Sequence, residues 1–92
     1  MDGLFYLVRY VSGVTVDHLD PTPLYEQLAA VLRQMIMSGQ LRPRDPVPSE
    51  SQLQQEHGVS RGTIRRALEI LRDEGLVVTI AGRGTFVKPK AV

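Results

Sequence analysis

Gly58-Val59-Ser60-Arg61-Gly62-Thr63-Ile64-Arg65-Arg66 is the stretch whose reading decides the fold. It reads as a tight turn followed by the start of a helix. Gly58 can take the left-handed conformation that ends a preceding helix. Ser60 can accept a hydrogen bond from a free backbone N–H and so cap the next one. Ile64, Ala67, Leu68 and Leu71 then recur at helical spacing and form one apolar stripe. Arg61, Gly62, Arg65 and Arg66 fall away from that stripe, with Glu69 and Asp73 further along. Cations are disfavoured at a helix N-terminus, which already carries partial positive charge. Arginines placed there make a site for an anion. Guanidinium suits phosphate and the guanine edge, because each accepts two parallel hydrogen bonds. In isolation the same residues would fit a solvated helix face, so the flanking sequence decides.

Upstream, Ser49-Glu50-Ser51-Gln52 is a capping box that opens a short helix over about Glu50 to His57. A short helix, a glycine-containing turn and a longer basic helix running to about Glu74 make the helix-turn-helix pattern. Gly75 ends the longer helix. Leu76 to Ile80 then switches to β-branched residues, Ala81-Gly82-Arg83-Gly84 is a turn, and Thr85 to Lys88 is the returning strand. A hairpin directly after such a helix is a wing. Its glycines let backbone pass close to another surface, and Arg83 sits at the tip.

Further upstream, Thr22 as cap and Pro23 at the first helical position open a helix running to about Ser38. Leu24, Leu28, Val31, Leu32, Met35 and Ile36 are its apolar stripe, with Gly39 as the stop. Tyr25 lies beside the stripe, its hydroxyl free to reach a phosphate. Leu41 to Pro48 is an extended connector or short edge strand, given its prolines. Residues 1–20 read as an N-terminal extension. Leu4 to Val11 within it is strand-prone, suited to an edge or to a second chain, or else an upstream addition with Val14 as the original start. Residues 21–90 form the domain. The fold class is mainly α with a small β wing: three helices plus a β-hairpin.

Composition narrows the chemistry. A chain of 92 residues is one small domain. It has no cysteine, which removes disulfide and thiolate chemistry and fits a reducing cytoplasm. No apolar run approaches a membrane span of ~18 residues. Net charge is only +1, but its distribution is uneven. Residues 1–46 carry four Arg/Lys against five Asp/Glu, and residues 47–92 carry seven against five. The basic groups cluster at 61–66 and 83–90, and a local patch of that kind steers a polyanion. An enzyme is disfavoured. His18 and His57 are isolated and lack metal-ligand spacing. Glu50, Glu56, Asp73 and Glu74 are accounted for by capping and solubility. Gly82-Arg83-Gly84 is not followed by a helix, so it is no phosphate loop. No cofactor or metal is expected. His57 reads as a residue that packs at a helix end.

From Pro23 to Val87, about two-thirds of its length, the chain resembles the winged helix-turn-helix DNA-binding domain of the GntR family of bacterial transcription regulators. The matching pieces are Pro23-Leu24-Tyr25, Gly39-Gln40-Leu41, Pro48-Ser49-Glu50, Gly58-Val59-Ser60-Arg61, Thr63-Ile64-Arg65, Ala67-Leu68, Glu74-Gly75-Leu76-Val77 and Gly82-Arg83-Gly84-Thr85-Phe86-Val87. The resemblance implies sequence-specific binding of double-stranded DNA, with the helix-turn-helix spanning Glu50 to Glu69. Arg61 would read guanine in the major groove, with Thr63 and Arg65 on neighbouring base edges or phosphate. Gly82 would approach the minor groove by its backbone, with Arg83 beside it on phosphate. Ser49, Ser51, Ser60, Gly62 and Arg66 complete the implied contact set. Arg65 has an alternative partner in Glu69, four residues on, and Arg66 has one in solvent. A homodimer on a palindromic operator is expected, weak or absent without a C-terminal domain, in the bacterial cytoplasm. A winged helix used for protein–protein contact is the competing class. It would not need arginines at a helix N-terminus.

The chain departs from the family pattern at several points. Ser51 stands where an arginine that touches DNA is common. Pro43-Arg44-Asp45 replaces Pro-Gly-Asp, and Arg44 cannot take positive φ as cheaply as glycine, so that turn is expected to differ. Gln54 and His57 replace a small and an aromatic residue. The resemblance implies a C-terminal domain that binds an effector and dimerises; none is expected within these 92 residues, and no effector site is expected in this chain.

Overall fold

The computed structural model describes residues 15–89, so the strand expected over Leu4 to Val11 lies outside the described residues. Three helices come first: α1 (Leu24–Met37), α2 (Glu50–His57) and α3 (Arg61–Asp73). An antiparallel hairpin follows, β1 (Val77–Ile80) and β2 (Gly84–Val87).

Each helix boundary has a local cause. Ser49 and Gln52 form the full capping box at the start of α2. Gly58 closes α2 at φ 64 and returns its N–H to the Gln54 carbonyl. Ser60 then caps α3 by accepting from the Thr63 N–H at 3.1 Å. The start of α1 differs from expectation. Thr22 does not cap it; Pro23 is the N-cap and makes no side-chain cap bond. Pro23 is extended at ψ 139, so the helix begins one residue later than expected, and in a turn just upstream the Thr22 N–H donates to Asp20 Oδ1 at 2.8 Å. Gln27 reaches back from α1 and donates to the Thr22 carbonyl, also at 2.8 Å.

The core sits where the three helices meet. Leu28 and Leu32 of α1, Leu53 of α2, and Ile64 and Leu71 of α3 are fully buried. Burying each such side chain is worth roughly 1.5–3 kcal/mol. Val59 in the turn, Val47 in the connector and the wing-base pair Val77↔Val87 extend this core. Val16, ahead of α1, joins it as well.

The connector pairs with the wing as an edge strand. The Val47 N–H donates to the Thr85 carbonyl at 2.9 Å, and the Val87 N–H donates to the Asp45 carbonyl at 2.8 Å. Pro46 lies opposite Phe86 between those two bonds. That position needs no N–H from the connector, which is why a proline fits there. Arg44 takes φ 75. The turn therefore keeps the left-handed geometry that glycine would favour, contrary to the expected change. The Arg44 N–H holds it there by donating to the Val87 carbonyl at 2.8 Å.

Candidate nucleic-acid interface

The first turn of α3 follows Gly58 without slack, so the turn sets its direction. Ser60 Oγ accepts from the Thr63 N–H and also lies 3.0 Å from Thr63 Oγ1. This fixes the helix entrance and leaves Thr63 half-buried. Gly62 is exposed, and a Cβ built there would meet only Ser60 Oγ, at 3.9 Å. Another surface could therefore come close to the backbone at Gly62.

Arg61 and Arg65, one helical turn apart, are directed outward, with side chains 64% and 65% exposed. Both reach the same carboxylate. Glu50 Oε1 lies 3.6 Å from Arg61 Nε, and Glu50 Oε2 accepts from Arg65 Nε at 3.2 Å. Arg65 thus pairs with Glu50 across the turn rather than with Glu69. Glu50 does more than cap and solubilise: it lines up two guanidiniums. At this exposure the pairs add little stability, about 0–1 kcal/mol each, so their effect is on orientation. The spare N–H groups of both arginines remain available to an acceptor outside the protein.

Arg66 turns toward α1 and is not simply solvated. Its guanidinium carbon sits 4.1 Å from the Tyr25 ring centroid, and Nη2 donates to the Tyr25 hydroxyl at 3.3 Å. That oxygen, expected to be free, accepts from Arg66 and keeps only its hydrogen to offer. Ser49 and Ser51 are exposed at the start of α2.

The wing tip is Ala81-Gly82-Arg83, all exposed, closed by the Arg83 N–H donating to the Ile80 carbonyl at 2.9 Å. Gly82 holds φ 77, a conformation most side chains would strain. Arg72 ties the wing to the helix. It donates to Thr79 Oγ1 at 3.0 Å, and Thr79 Oγ1 lies 3.0 Å from Thr85 Oγ1 on the paired strand. An open groove between α2 and the wing is lined by Ser49, Glu50, Gln52, Thr79, Arg83 and Phe86. The arrangement presents guanidiniums and backbone N–H groups over a convex helix with a flanking ribbon, which is suited to a polyanion of regular shape.

Three relationships were not visible in the residue pattern. Glu50 faces arginines 11 and 15 positions away, and only the turn geometry brings them together. Arg33 and Glu74 form a two-pronged ion pair at 2.8 and 2.7 Å between α1 and the end of α3. It holds the Glu74 carboxyl below its usual value. His18 and His57, read as isolated, are neighbours: His18 Nε2 lies 2.8 Å from the His57 carbonyl. Among the described residues, no helix is long and apolar enough to cross a membrane.

Comparison with known proteins gives one consistent result. The sequence profile described as "Bacterial regulatory proteins, gntR family" matches residues 24–87. The HTH-type transcriptional repressor NagR of Bacillus subtilis (strain 168) is 42% identical over 78 residues, 84% of this chain and 32% of that protein. The histidine utilization repressor of Klebsiella aerogenes is 49% identical over 71 residues, 76% of this chain and 30% of that protein. The chain thus spans about a third of the length of these curated relatives. Among solved structures, the AraR DNA-binding domain in complex with operator ORX1 superposes with a TM-score of 0.74 at 35% identity. It covers 79% of this chain and 93% of that one.

Proposed function

The chain belongs to the GntR family of bacterial regulatory proteins, and from that premise we propose that it is a sequence-specific DNA-binding module of a transcription regulator, most simply a repressor. Helix α3 enters the major groove. Arg61 and Arg65 read base edges, guanine first, because a guanidinium matches its O6 and N7. Thr63 and the open backbone at Gly62 fit against the same groove. Ser49, Ser51 and Ser60 take phosphate oxygens through hydroxyl or N–H groups, and Arg66 takes phosphate beside Tyr25. Gly82 and Arg83 bring the wing onto the minor groove and flanking backbone. The domain works in the bacterial cytoplasm as a homodimer on a palindrome, with half-sites ~34 Å apart. Effector binding and stable dimerisation belong to sequence outside the matched region.

The observation that carries this reading is the pair of exposed arginines one turn apart, aligned by a single carboxylate at the entrance of α3. An AraR domain of the same fold, bound to its operator, supports it. Selection of bound sites from random-sequence duplex is expected to recover a palindrome. On that site, Arg61→Ala should abolish the preference over random DNA in an anisotropy titration. An unchanged preference removes Arg61 from its role, and a selection that enriches nothing removes the reading.

A further inference from the structure

The residues ahead of α1 grip the helix-turn-helix at one point. Val16 is 7% exposed and packs in the core cluster. Its backbone N–H donates to His57 Nδ1 at 3.2 Å. Two residues on, His18 Nε2 lies 2.8 Å from the His57 carbonyl. A carbonyl can only accept, so His18 Nε2 carries a hydrogen. His57 Nδ1 faces an N–H, so it carries none, and the ring is neutral with its hydrogen on Nε2. His57 is the buried polar side chain among the described residues. It is also the last residue of α2, and Gly58, Val59 and Ser60 follow it directly into α3. A Cβ on Gly58 would sit 3.6 Å from His18 Nε2, so the clasp lies against the turn itself.

We propose that His57 is a positioning residue for α3: clasped by Val16 and His18, it holds the turn that aims Arg61 and Arg65, and it lets go when Nδ1 takes up a proton. The inference rests on the DNA-reading role of α3 given above. Protonation would set two N–H groups against each other across 3.2 Å and put a charge in a buried place. Few charges bear on the ring. Glu56, on its own helix, favours the proton, while burial opposes it more strongly and holds the ring below the usual histidine value of 6.5. On the preceding segment, His18 touches the His57 carbonyl. Asp17 is engaged locally, accepting from the Leu19 N–H at 2.9 Å. Helix α1 presents the neutral Gln27 side chain, which accepts from the Asp17 N–H at 2.8 Å.

Above 6.5 both open and clasped forms are neutral, and the clasp holds fully. As pH falls through 6.5 the open form takes the proton first, so the clasp is progressively disfavoured until the clasped ring itself titrates. DNA affinity should then fall on acidification, against the general tendency of added positive charge to raise it.

The test uses the full chain and a duplex enriched from a random library at about pH 7.5, titrated by anisotropy at fixed salt down to about pH 5.5, where a free histidine is charged. Wild-type affinity should drop about tenfold, the scale of one lost buried hydrogen bond. His57→Leu, which keeps bulk but cannot accept from Val16, should bind at the weakened level with no such pH step. His18→Gln keeps a donor for the His57 carbonyl and should retain the step, which guards against a folding failure in the leucine variant. Nitrogen-15 imidazole spectra of the DNA-free chain should show a bare His57 Nδ1 at neutral pH. A protonated Nδ1 there, or parallel pH profiles in wild type and His57→Leu, overturns the inference while leaving the DNA reading intact. Absence of any duplex binding at neutral pH removes the DNA reading and this inference with it.

Discussion

The Arg66 guanidinium carbon lies over the Tyr25 ring, 4.1 Å from its centroid, while one nitrogen donates to the hydroxyl. The contact joins α3 to the first turn of α1 and leaves the phenol hydrogen and most of the guanidinium free. A cation over an aromatic ring is worth about 0.5–1 kcal/mol at an exposed site. Tyr25→Leu should therefore cost little stability yet release Arg66 from a fixed position. If Arg66 meets a phosphate, Arg66→Ala should reduce the slope of log affinity against log salt by ~0.9. Tyr25→Leu should weaken binding while leaving that slope in place, since the charge remains. A salt series of anisotropy titrations separates the two, and an unchanged slope in Arg66→Ala places that arginine off the DNA.

Glu50 is a negative group in a surface otherwise suited to an anion, so its removal should act in two opposite ways. Glu50→Gln deletes a repulsive charge and should raise affinity for random duplex about two- to threefold at low salt. It also frees Arg61 and Arg65 to sample other rotamers, and re-ordering each on binding costs ~0.5–1.5 kcal/mol. Discrimination between the selected site and random DNA should accordingly fall about tenfold. Competition titrations measure both quantities. Equal loss on both duplexes would mean that Glu50 supports the fold and does not align the arginines.

The Arg33–Glu74 pair gives a pH dependence with a definite sign. Arg33 holds the folded-state carboxyl of Glu74 below its ordinary value of 4.5. The pair's contribution to stability is then complete above 4.5 and is lost as pH falls through the lowered value. Melting curves should show Glu74→Gln below wild type at neutral pH, with the gap closing as the solution is acidified beneath 4.5. Added salt should narrow the gap at neutral pH as well, because both side chains are partly exposed. A gap that is constant down to strong acid would assign the loss to packing.

The elements with local causes were legible in the sequence. Ser49 with Gln52, Gly58 and Ser60 each act through backbone groups a few residues away, so spacing alone announces them. The stripe Ile64, Ala67, Leu68, Leu71 is buried as its period implies. Thr22 shows the limit even for local signals: Pro23 stays extended at ψ 139, so α1 begins one residue later than expected. Tertiary relationships were not legible. Glu50 looks like an ordinary first-turn acid until the turn brings α3 across it. His18 and His57 are 39 positions apart and meet only because Val16 finds the core. The prolines of the connector did signal an extended segment or edge strand, yet not that Pro46 would sit where no N–H is needed.

Arg44 supplies the last test, because there the sequence and the backbone disagree. Its φ of 75 is left-handed, a conformation that costs a side-chain-bearing residue about 1–2 kcal/mol. The turn accepts that cost because its hydrogen bonds run through the main chain: the Arg44 N–H goes to Val87, and the Asp45 carbonyl accepts from Val87 in return. The Arg44 side chain is exposed. Arg44→Gly keeps every one of those bonds and removes the Cβ penalty. It also loosens the unfolded chain, which offsets the gain by about 0.4–1 kcal/mol. The net expectation is a stabilisation near ~0.5 kcal/mol, a rise of about 2–4 °C in melting temperature for a domain of this size. Arg44→Asn should fall between, since asparagine tolerates the left-handed region, and Arg44→Val should melt lowest because a β-branched side chain tolerates it least. An order with valine above glycine would mean that the turn relaxes out of the left-handed region at no cost, and that its hydrogen bonds to β2 do not fix it.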